Sequence, residues 1–496
     1  MEHVSHVDSI SYTISNTLGL NTELTKAISI GHDLGHAPFG HQGERILSEI
    51  SKKYIFWEVN MENRKKVPLK NKLAYGIGTG GGNVFSQIAA AFLLNYYTDT
   101  ALIGAGAIAT MFLVCRVFDG ITDLLMGGIV DKTSTKLGKA RPWLIASAPL
   151  SFLGIVLLMN VPMGLGENGK LVYAYITYIF MSCIVYTIYG ISNTALLPLM
   201  THDKDDSTML ATFSALGNNI IGLIAGSLIT PLVLNLGWKT SSIILGFAAC
   251  VLILISGLLN KEMGNDEDTK KMAGIPMSQQ LPATLKNKYF WLLLLLGAFS
   301  LIMNANAIGA QIYYCNMVLG KTMFMSVLMT AGQLPGIFIL FLMPAVSKKW
   351  NKKTFLLMGA VLIIVGFVIT GIAGGNTTLI VIGTVIRSLG VGPILSAVFA
   401  LVPDVVQYGN WKYGIRSEGL ISFAQSIGSK IGIGIGSALT GWILASVGYN
   451  PAAEPTAAVI NAVKFDYTWM GAILGVVILV IVLLLDVEKY ADQYNS

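Results

Sequence analysis

Charged residues are scarce in this chain of 496 residues, where they make up 12% of the sequence, against roughly 25% in soluble domains. With 53% hydrophobic residues, the chain is not intrinsically disordered, because disorder requires low hydrophobicity. Cysteine is also scarce, and Cys115, Cys183, Cys250 and Cys315 all lie in apolar stretches. This placement indicates no disulfide framework. An ordinary soluble domain and a disulfide-rich secreted domain are therefore both excluded.

The formal net charge is +6, but the basic residues do not indicate a nucleic-acid surface. They form short runs between apolar segments, which is the pattern that sets the topology of a membrane protein. We therefore expect lipid and a small solute as partners, and no nucleic acid.

Long apolar segments are abundant. From Leu73 onward, segments of about 20 residues recur, each long enough to cross a hydrocarbon core of about 30 Å as a helix. The sequence predicts an all-α polytopic membrane protein with twelve transmembrane helices, at residues 72–97, 102–130, 142–161, 171–200, 209–236, 239–260, 289–317, 323–347, 354–374, 377–402, 417–448 and 466–486.

Lys and Arg predict the orientation of these segments. Basic runs precede the first segment, lie between Lys132 and Arg141, and lie between Lys348 and Lys353, so we expect these loops and both termini on the cytoplasmic side of the plasma (inner) membrane. Two six-helix bundles with equivalent basic loops are expected of a transporter with a central cavity. The predicted organisation is a short helical cytosolic segment at 1–60, bundles at 71–260 and 289–486, a cytoplasmic central loop at 261–288 and a cytoplasmic tail at 487–496.

Three charged residues share one face of the second predicted helix. Arg116, Asp119 and Asp123 occupy positions i, i+3 and i+7. A charge near the bilayer centre costs about 2.5 to 3.5 kcal/mol, so this face must point inward. Two carboxylates one turn apart bind a small cation through oxygen, or carry a proton, and thus predict a coupling-ion site. The alternative is a structural ion pair between Arg116 and Asp119, with Asp123 solvating the helix end.

Glycines are concentrated in two segments. Gly76–Gly82 has the glycine density of a phosphate-binding loop, but it lacks the Lys-Ser/Thr ending and lies in a predicted membrane helix. Gly428, Gly432 and Gly436 recur every four residues. Both segments favour helix flexibility or close packing between helices.

Two further cations lie in predicted membrane helices. Lys430 is about 200° around the helix from the glycine stripe, so we expect it to face the cavity. There it would compete with the coupling ion for Asp119 or Asp123, bind a substrate hydroxyl, or remain in a fixed ion pair. Arg387 lies about ten residues from either end of its helix, too deep for its side chain to reach water. It must face protein or the cavity, where it would favour an anionic substrate such as a hexuronide.

Four segments carry a family resemblance: RVFDGITD at 116–123, LGKARPW at 137–143, PDVVQYG at 403–409 and QSIGSK at 425–430. They resemble the glycoside-pentoside-hexuronide:cation symporters of the major facilitator superfamily, and the resemblance covers about residues 70–490. It implies the major facilitator fold and sugar:cation symport by alternating access, in a functional monomer without a cofactor. Asp119, Asp123 and Lys430 would form the cation-coupling site.

The substrate pocket departs from that of the melibiose-type members of this family. Those members carry acidic residues where this chain has Asn83 and Gly190. Asn83, Arg116 and Arg387 are the candidates for residues that bind the substrate or line the cavity. The coupling ion is predicted to be Na+ or H+, with Li+ as a further alternative. A transporter-like receptor without ion coupling is also open.

The first 57 or so residues carry a second resemblance. The segment HDLGHAPFGHQGE at 32–44 resembles the start of an HD-domain deoxyguanosine triphosphate triphosphohydrolase. By that resemblance, His3, His32 and Asp33 would bind metal, and His41 and Glu44 would be catalytic. An HD site needs a further aspartate from a later helix, and about 60 residues bury little core. We interpret this segment as a non-functional remnant of gene fusion or of misjoined coding sequence, with a membrane-tethered nucleotide hydrolase as the alternative function.

Overall fold

The computed structural model describes residues 66–201, 203–262, 277–346, 351–414 and 418–490. The predicted cytosolic segment at 1–60, with the predicted metal ligands His3, His32 and Asp33, lies outside the described residues. Every element in the described part of the chain is helical, apart from one isolated bridge between Thr135 and Gly138. The predicted all-α fold class is confirmed.

Thirteen α-helices, α1 to α13, and a short 3-10 helix at Val487–Tyr490 are present in the described residues. In chain order they cover Leu69–Thr100, Ala105–Lys132, Arg141–Leu158, Glu167–Met200, Lys204–Leu259, Met277–Lys286, Lys288–Val318, Phe324–Val346, Lys352–Ile372, Thr377–Ala400, Val402–Tyr413, Glu418–Ser446 and Ala457–Leu484. Helices α6 and α11 are short, and α1, α4, α7 and α13 contain π-helical turns. We refer to α1–α5 as the N-terminal half and to α7–α13 as the C-terminal half.

Eight helices in the described residues are long and apolar enough to cross a membrane. One of them, α5, contains the fifth and sixth predicted segments. Its break is at Gly237, where φ is +73°, a conformation that glycine adopts without steric cost. Three further helices are long. Helix α2 carries Arg116, Asp119 and Asp123, and α12 carries Lys430. Helix α8 is apolar over Phe324–Ile339. The arrangement is consistent with twelve spans, and that number remains a prediction.

The last helix begins nine residues before its predicted start. Thr456 caps it, because the threonine side chain accepts a hydrogen bond from the amide of Val459, and a threonine in this position stabilises a helix start. Lys464 and Asp466 therefore lie inside α13, whereas the apolar pattern placed the helix start at residue 466. Asp466 thereby becomes a buried helical residue.

Glycines allow the helices of each half to approach closely. A Cβ on Gly76 would lie 2.4 Å from the main-chain oxygen of Phe213 in α5, and one on Gly82 would lie 2.0 Å from the ring of Tyr189 in α4. Gly432 and Gly436 of α12 pack in the same way against the backbone of α7. Both glycine segments therefore lie at close contacts between helices, as the packing alternative predicts.

The loop between α2 and α3 is held by the end of α5. The Glu262 carboxylate accepts hydrogen bonds of 2.7, 2.9 and 2.9 Å from the amides of Lys139, Ala140 and Arg141, where a negative charge is favoured at the N-terminus of α3. Gly138 has φ +112°, and a Cβ there would lie 2.3 Å from the Glu262 carboxyl carbon. The carboxylate therefore requires glycine at this position.

Candidate functional site

Helix α2 directs the three charged residues of the sequence motif towards the interior of the protein. Asp119 is 5% exposed, and its Oδ2 lies 3.6 Å from Nη1 of Arg116, one turn earlier. The opposite side of α2 exposes apolar residues such as Val117, Ile121 and Leu124. One helix thus presents charge to the protein and hydrocarbon to lipid, as the i, i+3, i+7 spacing predicts.

Lys430 of α12 projects away from the glycine stripe and reaches α2. Its Nζ forms an ion pair with Asp123, lies 3.6 Å from Oδ2 of Asp119 and donates a hydrogen bond of 3.1 Å to the main-chain oxygen of Asp119. Three oxygen atoms therefore surround this ammonium group. Since α12 belongs to the C-terminal half, the ion pair also joins the two halves. We call Asp119, Asp123 and Lys430 the ion cluster.

Two threonine hydroxyls complete the surroundings of Asp119. Thr187 of α4 donates a hydrogen bond of 3.1 Å to Oδ1 of Asp119, and Thr122 lies 3.3 Å from the Thr187 hydroxyl. Hydroxyl and carboxylate oxygens are ligands suited to hard cations. Sequence reasoning misses Thr187, because a threonine 68 residues away shows no pattern that links it to α2.

Arg116 connects the ion cluster to a cavity between the two halves. The cavity has a volume of about 220 Å³ and is lined by residues of α1, α2, α4, α7 and α12, with Arg116 among them. Nε of Arg116 is buried and has no hydrogen-bond partner in the described structure. The positive charge of the guanidinium group on the cavity wall favours a hydrogen-bond acceptor or an anion in the cavity.

The remaining walls of the cavity are aromatic and weakly polar. The N-terminal half contributes Phe85, Ser86 and Tyr186, and the Ser86 and Tyr186 hydroxyls lie 2.9 Å apart. The C-terminal half contributes Asn304 and Ser437. Apolar rings with a few hydroxyl and amide groups are typical of small-molecule sites. Sequence alone does not identify these aromatic residues, since a packing ring and a cavity-lining ring give the same pattern.

The other two cavity candidates lie apart from Arg116. Asn83 of α1 donates a hydrogen bond of 2.7 Å to the main-chain oxygen of Asn218 on α5. Arg387 of α10 places its guanidinium carbon 4.8 Å from the ring centre of Phe367 and 5.8 Å from that of Tyr467, so its charge is stabilised by aromatic faces within the C-terminal half. Neither residue is among those that line the cavity.

The two halves meet at the end opposite the basic loops. Asp99 of α1 accepts hydrogen bonds from Tyr449, which follows α12, at 2.8 Å and from Thr98 at 2.7 Å. The Thr98 hydroxyl lies 2.7 Å from that of Tyr313 on α7. These contacts join the two halves on the side of the protein that the positive-inside pattern predicts to be external. We call Thr98, Asp99, Tyr313 and Tyr449 the outer contact.

Comparisons with known proteins agree on one family. A family model described as MFS/sugar transport protein matches residues 74–489. The isoprimeverose transporter of Lactiplantibacillus pentosus is 28% identical over 421 residues, which are 82% of this chain and 86% of that protein. The glucuronide carrier protein homolog of Escherichia coli (strain K12) is 28% identical over 403 residues, 79% of this chain and 87% of that protein.

A crystal structure of a variant of the nucleoside transporter NupG superposes with a TM-score of 0.61 at 14% identity, over 84% of this chain and 100% of that one. At this level of identity the likeness concerns the fold alone.

Proposed function

The chain belongs to the MFS/sugar transport protein family, and we propose that it carries a sugar together with a cation by alternating access. As a member of this family it is a multi-pass membrane transporter and not an enzyme. Its relatives include an isoprimeverose transporter and a glucuronide carrier homolog. The proposed substrate is accordingly a glycoside, pentoside or hexuronide, and the proposed coupling ion is Na+ or H+.

One observation carries the proposal: Arg116 lines the cavity and also lies 3.6 Å from Asp119 of the ion cluster. A change in the charge of the cluster therefore changes the electrostatic potential at the cavity wall, because Coulomb interactions over such distances are strong where little water is present. Substrate binding and ion binding are then linked. The linkage is reciprocal, so each ligand raises the affinity for the other by the same factor.

The ion cluster suggests how the coupling ion binds. Lys430 acts as a tethered cation that occupies the oxygen atoms of Asp119 and Asp123. The two cations, Lys430 and Arg116, balance the charges of the two carboxylates, Asp119 and Asp123. An incoming ion must displace Lys430 from Asp123, which breaks an ion pair between the halves and frees α2 and α12 to move apart. We propose that this exchange links ion binding to the rocking of the two halves.

We propose that the outer contact forms when the cavity is closed towards the outside. The halves are joined at the predicted external end by Thr98, Asp99, Tyr313 and Tyr449. The complementary state must break these hydrogen bonds and open the cavity on that side. Both termini are proposed to be cytoplasmic, and the functional unit is proposed to be a monomer.

Uptake into proteoliposomes tests the proposal. The purified chain is reconstituted and given labelled neutral glycosides, pentosides and glucuronides under imposed Na+ or H+ gradients. We expect one gradient to drive accumulation of one sugar class. In Asp123→Asn, accumulation should be lost, while exchange of labelled for unlabelled substrate persists. Purely downhill movement that is identical in the two proteins would contradict coupling at the ion cluster.

A further inference from the structure

A carboxyl group that no sequence motif indicates is buried in the C-terminal half. Asp466 of α13 is 2% exposed and lies in the π-helical segment Phe465–Met470. Its Oδ1 accepts a hydrogen bond of 2.8 Å from Nδ2 of Asn306 on α7. Thr440 of α12 is the third member, because its Oγ1 accepts a hydrogen bond of 3.3 Å from the same Nδ2. We call Asp466, Asn306 and Thr440 the Asp466 cluster.

No cation neutralises Asp466 in the described part of the chain, where no Lys, Arg or His nitrogen lies within 4.0 Å of its carboxyl oxygens. The guanidinium of Arg387 lies over the rings of Phe367 and Tyr467 instead. The helices around Asp466 carry the following other charged or titratable groups: Lys288, Tyr289, Tyr313, Tyr314 and Cys315 on α7, Lys352 and Lys353 in the first turn of α9, Arg387 on α10, Glu418 and Lys430 on α12, and Lys464 and Tyr467 on α13 itself.

Burial without a counter-ion makes the ionised form of Asp466 costly. An unpaired carboxylate is strongly disfavoured in a low-dielectric interior, and neutral hydrogen-bond donors compensate this only in part. A proton removes the charge. The lack of a counter-ion also distinguishes Asp466 from Asp123, whose carboxylate is already paired with Lys430.

Asn306 is able to stabilise both protonation states. The side chain is fully buried, and its Oδ1 has no hydrogen-bond partner in the described structure. Turning the amide over exchanges Nδ2 and Oδ1, so that the group that donates to a carboxylate instead accepts from a protonated carboxyl. The unpartnered oxygen is thus the acceptor that a protonated Asp466 requires.

Thr440 places this cluster at the boundary between the two halves. A Cβ on Gly309 of α7 would lie 3.6 Å from the main-chain oxygen of Ala90 on α1 and 3.7 Å from Oγ1 of Thr440. Ala90 also lines the cavity. Movement of α1 away from α7 would therefore open a path for water to the Thr440 hydroxyl and, through it, to Asp466.

We propose that Asp466 is a proton-binding site in the C-terminal half, distinct from the ion cluster. It exchanges its proton by way of Thr440 when the halves separate, and Asn306 turns to accept or donate a hydrogen bond accordingly. The π-helical turn around Asp466 fits this role, since such turns frequently occur at functional sites. The site concerns the proton alone, so it stands whether the ion cluster couples Na+ or H+ and whichever sugar is carried.

Infrared difference spectroscopy tests the site without a substrate. Spectra of the full-length protein in lipid are recorded between acidic and alkaline pH, in H2O and in D2O. We expect a carbonyl-stretch band of a protonated carboxyl that shifts in D2O, is lost in Asp466→Asn and is retained in Asp99→Asn. Asp99 is a matched control, because its hydrogen-bond partners Asn95, Thr98 and Tyr449 are also neutral, yet it belongs to the outer contact.

A second variant keeps the proposal testable if Asp466→Asn fails to fold. Thr440→Val removes the hydroxyl and conserves shape, and it should slow the exchange of this band into D2O several-fold while the band itself remains. Difference spectra that are identical in wild type and Asp466→Asn would overturn the proposal, since the carboxyl would then keep one protonation state throughout. Failure of sugar uptake with the band intact would instead count against the proposed function.

Discussion

Lys430 and Asp123 form an ion pair that joins the two halves of the chain. Their side chains are 21% and 31% exposed, so the pair is partly shielded from water. Lys430 also donates to the main-chain oxygen of Asp119 at 3.1 Å. The ammonium group thus occupies the oxygen-rich position that the proposed coupling ion needs, and the two must compete.

The first prediction follows from this competition. Lys430→Gln removes the tethered cation, so the coupling ion should bind more tightly by roughly tenfold, equivalent to about 1.4 kcal/mol and within the range of couplings between contacting residues. The measurement is the Na+ or pH dependence of sugar exchange in proteoliposomes. Lys352→Gln, at the first turn of α9, is the control. A weaker ion affinity in Lys430→Gln would show that Lys430 supports ion binding instead of opposing it.

The second prediction concerns glycine packing in α1. Gly82→Ala would place a methyl group 2.0 Å from the ring of Tyr189, whose hydroxyl is held by the oxygens of Gly78 and Thr79 at 3.1 and 3.0 Å. The ring cannot shift without losing these bonds, so we expect destabilisation of about 1 to 3 kcal/mol. Thermal unfolding of the purified protein measures it.

Gly127→Ala in α2 is the matched control for this change. A Cβ there meets no atom within 4 Å, and alanine has the higher helix propensity, by roughly 0.5 to 1 kcal/mol. The control variant should unfold at or above the wild-type temperature. Equal losses in the two variants would mean that helix flexibility, and not packing, explains the glycines of α1.

The sequence identifies the inward-facing side of α2, because an apolar helix has few charged residues and their spacing places them all on one side. The same reasoning separates Lys430 from the glycine stripe, and the structure brings Lys430 to Asp119 and Asp123, although their role in coupling remains a prediction. Thr187, Tyr186 and Asn304 could not be predicted, since a polar or aromatic residue in a membrane helix shows no preferred partner in sequence. The sequence does not single out Asp466, because the apolar pattern places it at the first residue of the last helix, whereas the cap at Thr456 places it nine residues after the start of α13.

The third prediction concerns the outer contact. Tyr449 donates a hydrogen bond of 2.8 Å to Asp99, and burial raises the pKa of the Tyr449 hydroxyl above its ordinary value. The hydroxyl therefore remains a donor at physiological pH. Tyr449→Phe removes a bond that joins the halves only in the closed state, which should favour external opening by about 1 to 2 kcal/mol, roughly 5- to 30-fold.

Thiol labelling from outside measures this shift. Ser437→Cys lies in the cavity, and a membrane-impermeant reagent should reach it faster when Tyr449→Phe is also present. Tyr173→Phe is the control, because its hydroxyl bonds to Leu157 within the N-terminal half. Faster labelling in both Tyr449→Phe and Tyr173→Phe would indicate that each substitution destabilises the protein in general. Unchanged labelling in Tyr449→Phe would show that the outer contact does not control external access to the cavity.

The fourth prediction distinguishes acidic from neutral sugars. Arg116 is the charged residue among those that line the cavity. The charges of the ion cluster and Arg116 balance one another. When a monovalent cation binds to the cluster, one positive charge is therefore in excess beside the cavity. A carboxylate or sulfonate on the substrate would neutralise it, so ion and substrate would stabilise each other by charge as well as by shape.

Arg116→Gln should therefore weaken the binding of a glucuronide by about 10- to 100-fold, as expected for loss of a charged hydrogen bond of roughly 1.5 to 3 kcal/mol. Binding of a neutral glycoside should change only a few-fold, because its hydroxyls can also bond to glutamine. Competition against a labelled sugar during exchange measures both affinities in one preparation. Arg116→Lys retains the charge without the planar pair of donors, and it should recover part of the glucuronide affinity. Equal losses for both sugars would show that Arg116 positions Asp119 and does not contact the substrate.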